Sequence, residues 1–152
     1  MFTYGSEVEV AQTPAEVFSA LLDIGRWTEW TDMRDMHHDQ SGPIRIGSSG
    51  TFTLPGPFRG PIRYELTGLE PDRHVRYEMA HSAFAWTAEY SLEPTESGTR
   101  LATSGRFQLR GLWRILQPII AREMGRGEAD ELARLKAIIE EVPARPSAAV
   151  SA

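Results

Sequence analysis

Residues Phe84 to Leu109 read FAWTAEYSLEPTESGTRLATSGRFQL, and the fold follows from that stretch. Phe84, Trp86, Ala88, Tyr90 and Leu92 fall on one parity, with Thr87, Glu89, Ser91 and Glu93 on the other, which is the period-two pattern of a strand with one apolar and one wet face. Glu96-Ser97-Gly98 breaks the run, because glycine tolerates backbone angles that other residues avoid. Leu101, Thr103, Gly105 and Phe107 then restart the same alternation. Two strands, Phe84–Glu93 and Arg100–Leu109, joined this closely are antiparallel neighbours, since parallel pairing demands a long crossover.

Upstream, the same pattern predicts strands over Met33–His38, Gly50–Leu54, Pro61–Leu69 and His74–Met79. Gly42-Pro43, Pro55-Gly56-Pro57 and Pro71-Asp72 separate them. Requiring apolar residues on one face turns Ile62, Tyr64 and Leu66 inward, and likewise Val75, Tyr77 and Met79; a one-residue slip would move each set into water. Residues 2–10 end in Glu7-Val8-Glu9-Val10 and supply a first strand, making seven. Thr13-Pro14-Ala15-Glu16 opens a helix with a capping hydroxyl, a proline in the first turn and a carboxylate three residues on. Val17, Phe18, Leu21 and Leu22 form its apolar stripe, and Gly25 is placed to give it a left-handed cap. Arg26 to Thr31 reads as a second short helical turn carrying Trp27 and Trp30.

Downstream, the period changes to that of a helix from 112 to 142, through Leu112, Ile115, Leu116, Ile119, Ile120, Met124, Leu132, Leu135, Ile138 and Ile139. Pro118 should kink this segment or split off its first turn, and Gly125 with Gly127 weakens its middle. Residues 1–142 thus form one domain, and 143–152 a flexible tail with nothing to bury.

The totals narrow the function. A chain of 152 residues with 41% hydrophobic and 24% charged content has the composition of a single globular domain. A net charge of -5 with no lysine or arginine run argues against nucleic acid. The absence of cysteine excludes disulfides, iron–sulfur clusters and thiol nucleophiles. The opening residues carry no signal-peptide pattern, and no apolar run spans a bilayer, so the expected location is the cytoplasm. Neither a phosphate-cradling loop nor a Ser-His-Asp order is present, and no cofactor is expected.

One strand, two short helices, a six-strand meander and a long terminal helix give an α+β helix-grip fold, in which a curved antiparallel sheet of seven strands wraps the C-terminal helix. The pieces that carry a family likeness are Val8-Glu-Val-Ala-Gln-Thr-Pro-Ala-Glu-Val-Phe18 with Leu22-Asp23, Arg26-Trp27-Thr-Glu-Trp30, Leu69-Glu-Pro-Asp-Arg73, Tyr90-Ser-Leu-Glu-Pro94 leading to Gly98-Thr-Arg-Leu101, and Leu132 with Leu135-Lys136. In order and spacing the chain resembles the SRPBCC superfamily, also called START-like or birch-pollen-allergen-like, and within it the bacterial polyketide cyclase/dehydrase-type proteins. The resemblance spans roughly residues 4 to 141 and implies the same fold with an internal cavity. It carries over no catalytic motif.

The inward residues mix aromatics bearing polar ends with small side chains, which suits a small-molecule pocket of roughly 300–1,000 Å³. The candidate ligand-binding residues are Tyr64, Tyr77, Met79, Trp86, Ala88, Tyr90, Thr103, Phe107 and Trp30; Trp27 and Trp30 either rim the cavity mouth or staple the short helices to the sheet, the second being the stronger reading. No metal site is expected: His37 and His38 are adjacent in a strand and leave on opposite faces, while Asp35 and His37 share a face but lack further ligands. Lys136, the only lysine, lies at the far end of the helix and reads as a surface residue. The expected partner is a small hydrophobic molecule such as a polyketide, lipid or quinone, bound or carried. The alternative is a cyclase, aromatase or dehydratase using cavity tyrosines as weak acid/base and orienting groups; it wants a polar pair of shifted pKa, and only phenols are visible. Leu112-Trp113-Arg114-Ile115-Leu116 with Ile119-Ile120 raises a membrane-associated role, but burial against the sheet explains their spacing as well, and the negative charge opposes an anionic surface.

Overall fold

The computed structural model describes residues 1–141. Strand β1 (Phe2–Val10) leads into α1 (Pro14–Leu22), a 3-10 turn (Ile24–Arg26) and α2 (Trp27–Trp30). Strands β2 (Arg34–His38), β3 (Ser49–Thr53), β4 (Ile62–Glu70), β5 (His74–His81), β6 (Phe84–Thr95) and β7 (Gly98–Leu109) follow, then a 3-10 segment (Gly111–Leu116) and α3 (Gln117–Glu141). The seven strands form one antiparallel sheet in the order β1-β7-β6-β5-β4-β3-β2, the helix-grip arrangement. The tail expected over 143–152 lies outside the described residues.

The inward phases agree with the sequence reading. Ile62, Tyr64, Leu66, Val75, Tyr77, Met79, Phe84, Ala88, Leu92, Leu101 and Phe107 are all buried. The β6–β7 hairpin is longer than its alternation indicated, closing at Thr95 opposite Gly98, because both strands keep pairing past the point where apolar side chains stop. Helix α3 lies along β1: Gln117 is near Met1 at one end, and Glu140 accepts from the Ala11 N–H at 2.8 Å at the other. Leu132, Leu135 and Ile139 face the sheet, each contributing roughly 1.5–3 kcal/mol by burial.

Three local expectations change. Gly25 makes no left-handed cap; it lies inside the 3-10 turn, and Asp23 ends α1 with negative φ. Asp35 sits in a bulge with φ of 54°, so strand alternation lapses there; its carboxylate accepts from the Thr53 hydroxyl at 2.8 Å instead of sharing a face with His37. The terminal helix divides as Pro118 led one to expect, between Leu116 and Gln117, with Pro118 in the first turn of α3 where it needs no N–H partner; α3 continues through Gly125 and Gly127. Finally, Leu112, Ile115 and Ile119 do not pack on the sheet: they are 84%, 75% and 64% exposed. The residues that turn inward from this segment are Trp113, Ile120 and Met124, so it is apolar on two faces.

Candidate functional site

Between the middle of α3 and the inner face of β5 and β6 lies a pocket whose lining is apolar except at one wall. Leu21 and Trp27 close one side, Trp30, Thr31 and Met33 another, and Tyr77, Met79, Trp86, Ala88 and Tyr90 form the floor. The polar wall is Glu128 and Glu131, three residues apart and therefore on one face of the helix. Glu128 is only 6% exposed, and the Thr103 hydroxyl of β7 donates to its Oε1 at 2.8 Å. Its other oxygen makes no hydrogen bond among the described residues.

Burial governs the electrostatics. Loss of water raises the Glu128 pKa, against the opposing hydrogen bond from Thr103. Glu131 is half-buried and is pushed up to about 8, first by desolvation, then by the charges of Glu128 and Asp32, with Arg134 countering. Glu131 therefore holds a proton at neutral pH. The Tyr90 hydroxyl is driven well above its ordinary value by burial and then by Glu128 and Glu131, and it makes no hydrogen bond among the described residues.

Other phenols are already committed. The Tyr77 hydroxyl and the Trp27 indole N–H both donate to the Leu21 carbonyl, at 3.2 and 3.1 Å, satisfying an acceptor that the end of α1 leaves free. Tyr4 accepts from Trp86 Nε1 at 2.6 Å. That contact depends on Gly105, where a Cβ would come within 2.2 Å of the Tyr4 ring.

A sequence profile for the family described as polyketide cyclase/dehydrase and lipid transport matches residues 1–140. The chain belongs to this family. No curated protein sequence matches it. Among solved structures, this chain is similar to the di-domain aromatase/cyclase StfQ of the steffimycin biosynthetic pathway, with a TM-score of 0.75 and 15% identity. That match covers 93% of this chain and 51% of StfQ, so the chain spans about half of the di-domain protein. TTHA0849 from Thermus thermophilus superposes with a TM-score of 0.74 at 12% identity, over 93% of this chain and 99% of the other. The Aha1 protein of Colwellia psychrerythraea gives 0.66 at 18% identity, over 92% and 97%. At these identities the likeness is one of fold.

Against this polyketide cyclase/dehydrase frame, the candidate residues divide. Trp30, Tyr77, Met79, Trp86, Ala88 and Tyr90 line the pocket together. Thr103 stands behind Glu128 as its hydrogen-bond donor. Tyr64 lies to one side, its hydroxyl on His38 Nδ1 and its pKa raised to about 12 by burial. Phe107 is not in the lining; it stacks between Phe2 and Phe84, behind the lining residue Trp86. Trp30 is 3% exposed and packs edge-on against Tyr90, so it is a wall and not an open rim.

Sequence reasoning missed the carboxyl pair. Glu128-Ala-Asp-Glu131 reads as a solvated acidic cluster, yet Glu128 and Glu131 continue the face of Met124, Leu132 and Leu135, and that register was the available signal. The free space also differs from expectation: about 20 Å³, room for roughly one water, within a lining that includes the flexible side chains of Met33 and Met79. Depressions of about 320 and 330 Å³ lie elsewhere, one beside Leu22, His38 and Ile44, the other on the outer sheet face at Thr87 and Arg106. Neither contains a buried carboxyl group.

Proposed function

We propose that this domain binds a small hydrophobic molecule bearing a hydrogen-bonding group, with its apolar body against Met79, Ala88 and Tyr90 and its polar end on Glu128 and Glu131. The observation that carries this reading is Glu128: a buried carboxyl facing an otherwise apolar pocket, with one oxygen engaged by Thr103 and one uncommitted. That second oxygen keeps access to solvent, since no fully buried side-chain polar atom lacks a partner among the described residues, and a ligand hydroxyl or carbonyl is suited to take the place of water on it. Entry of anything larger than water requires Met33 and Met79 to swing aside, which the flexible thioether chains allow. Membership of a family described by both cyclase/dehydrase and lipid-transport activities supports the ligand class.

The test is native mass spectrometry of the purified protein, joined to titration with an environment-sensitive apolar dye. Saturable dye binding that a polycyclic phenol displaces, and that Glu128→Leu weakens for the phenol but not for the unsubstituted hydrocarbon, is the expected result. Equal displacement in both proteins would remove Glu128 from the site.

A second reading rests on Glu131. A carboxyl protonated at neutral pH can deliver its proton to a departing hydroxyl, while a carboxylate oxygen of the pair takes the hydrogen from the neighbouring carbon, so that water leaves and a double bond forms. The tyrosines, with pKa values driven upward, are poorer proton donors than this pair. Loss of water from a β-hydroxy ketone, followed by mass spectrometry, separates the two readings: turnover abolished by Glu131→Gln supports chemistry, and binding without turnover supports carriage.

A further inference from the structure

The 3-10 segment and the first turn of α3 present an apolar surface that nothing among the described residues covers. Leu112, Ile115, Leu116 and Ile119 recur at helical spacing on one outward face, and three of the four are more than 60% exposed. The segment is held by its opposite side. Trp113 packs on Phe58, whose ring stacks edge-on with Phe84 at 4.9 Å, so the outward residues stand on an anchored platform. Isolated exposed apolar residues need no explanation, but a contiguous set of this size marks an interaction surface.

Charge identifies the partner. Residues 110–122 contain Arg110, Arg114 and Arg122 and no acidic residue, in a chain of net charge -5. None of the three arginines has a carboxylate partner among the described residues. Apolar side chains flanked by unpaired arginines are the pattern of an interfacial segment, which lies in the headgroup region with its apolar residues at the acyl boundary. A second copy of this chain would bring the same three arginines against each other and be repelled.

We infer that the Gly111–Ile119 face docks on an anionic lipid bilayer, with Leu112, Ile115 and Ile119 inserted and Arg110, Arg114 and Arg122 on the headgroups. The segment adjoins the aromatic cluster of Phe58, Phe84 and Phe107 at one end of the interior, next to Trp86 of the pocket. Docking would place that end of the domain against the source of an apolar ligand. The inference does not depend on what the pocket holds.

Vesicle flotation tests it. The protein should float with vesicles of phosphatidylglycerol and phosphatidylcholine in equal parts, remain behind with phosphatidylcholine alone, and be released as salt is raised toward about 1 M, where screening is nearly complete. The triple change Arg110→Gln, Arg114→Gln and Arg122→Gln should weaken binding by roughly a hundredfold, at about fivefold per arginine. Ile115→Ser with Ile119→Ser should also abolish flotation, with the thermal melt of each variant unchanged to show that it is folded. Flotation equal on both vesicle types, or none on the anionic ones, would overturn the inference. So would a dimer in sedimentation equilibrium that the isoleucine changes dissolve.

Discussion

The Thr103 hydroxyl donates to Glu128 Oε1 at 2.8 Å, joining the centre of β7 to the middle of α3 through the interior. It is the direct polar link between sheet and helix at the pocket. Thr103→Val keeps the shape and removes the donor, leaving a buried carboxyl oxygen unpaired. A loss of about 1–3 kcal/mol in urea unfolding is expected. A stability change near zero would show that water or a neighbour replaces the hydroxyl.

The carboxyl pair makes a directional pH prediction. Both groups have raised pKa values in the folded chain, Glu131 to about 8 from an ordinary 4.5. Between those values the folded state holds more protons than the unfolded state. The pair's contribution to stability is therefore full below about pH 4.5 and declines as pH rises toward about 8. Urea midpoints measured from acid to alkaline pH should fall less steeply in Glu131→Gln than in the parent. Parallel curves would place Glu131 in solvent.

Gly105 and Tyr4 should be energetically coupled. Gly105→Ala forces a methyl group into the Tyr4 ring, displaces it and breaks the hydrogen bond from Trp86. The single change should destabilise by more than about 1 kcal/mol, as overpacked sites do. In Tyr4→Ala the ring is gone, and adding Gly105→Ala should then cost little. A double-mutant cycle checks this, with additivity as the contrary result.

Ala88→Phe tests how far the pocket opens. With about 20 Å³ free, a phenyl ring overpacks the site and should cost about 1–3 kcal/mol while abolishing dye binding. Unchanged stability would mean that Met33 and Met79 yield easily and that the pocket in solution is larger.

Strand faces were legible because burial enforces strict parity. From Ile62 to Leu66 of β4 and along β5 to β7, a one-position slip would expose Ile62, Val75, Phe84 or Leu101, so alternation and structure agree there; the register shift between Leu66 and Gly68 lies past that run. Helical faces were less legible. Leu112, Ile115 and Ile119 have the spacing of a core stripe, and spacing cannot tell which of two apolar faces meets the sheet; Trp113 and Ile120 turned inward instead. Glu128 was hidden for the opposite reason: its charge placed it in water by residue type, while its register placed it beside Leu132. The pocket volume was beyond reach because flexible side chains such as Met33 and Met79 set it, and their rotamers leave no trace in a pattern.

The position of β1 has a consequence for how the chain is made. β1 is an edge strand whose only sheet neighbour is β7, with Val10 opposite Thr99 and Phe2 opposite Phe107. During synthesis from the N-terminus, the first strand of this domain waits for its last, and its packing partner α3 comes later still. Such long-range pairing is slow because loop closure precedes any compensating contact. Until then Phe2, Tyr4, Val8 and Val10 remain on an unpaired strand, the part of the nascent chain most open to chaperones and to wrong pairing with other chains.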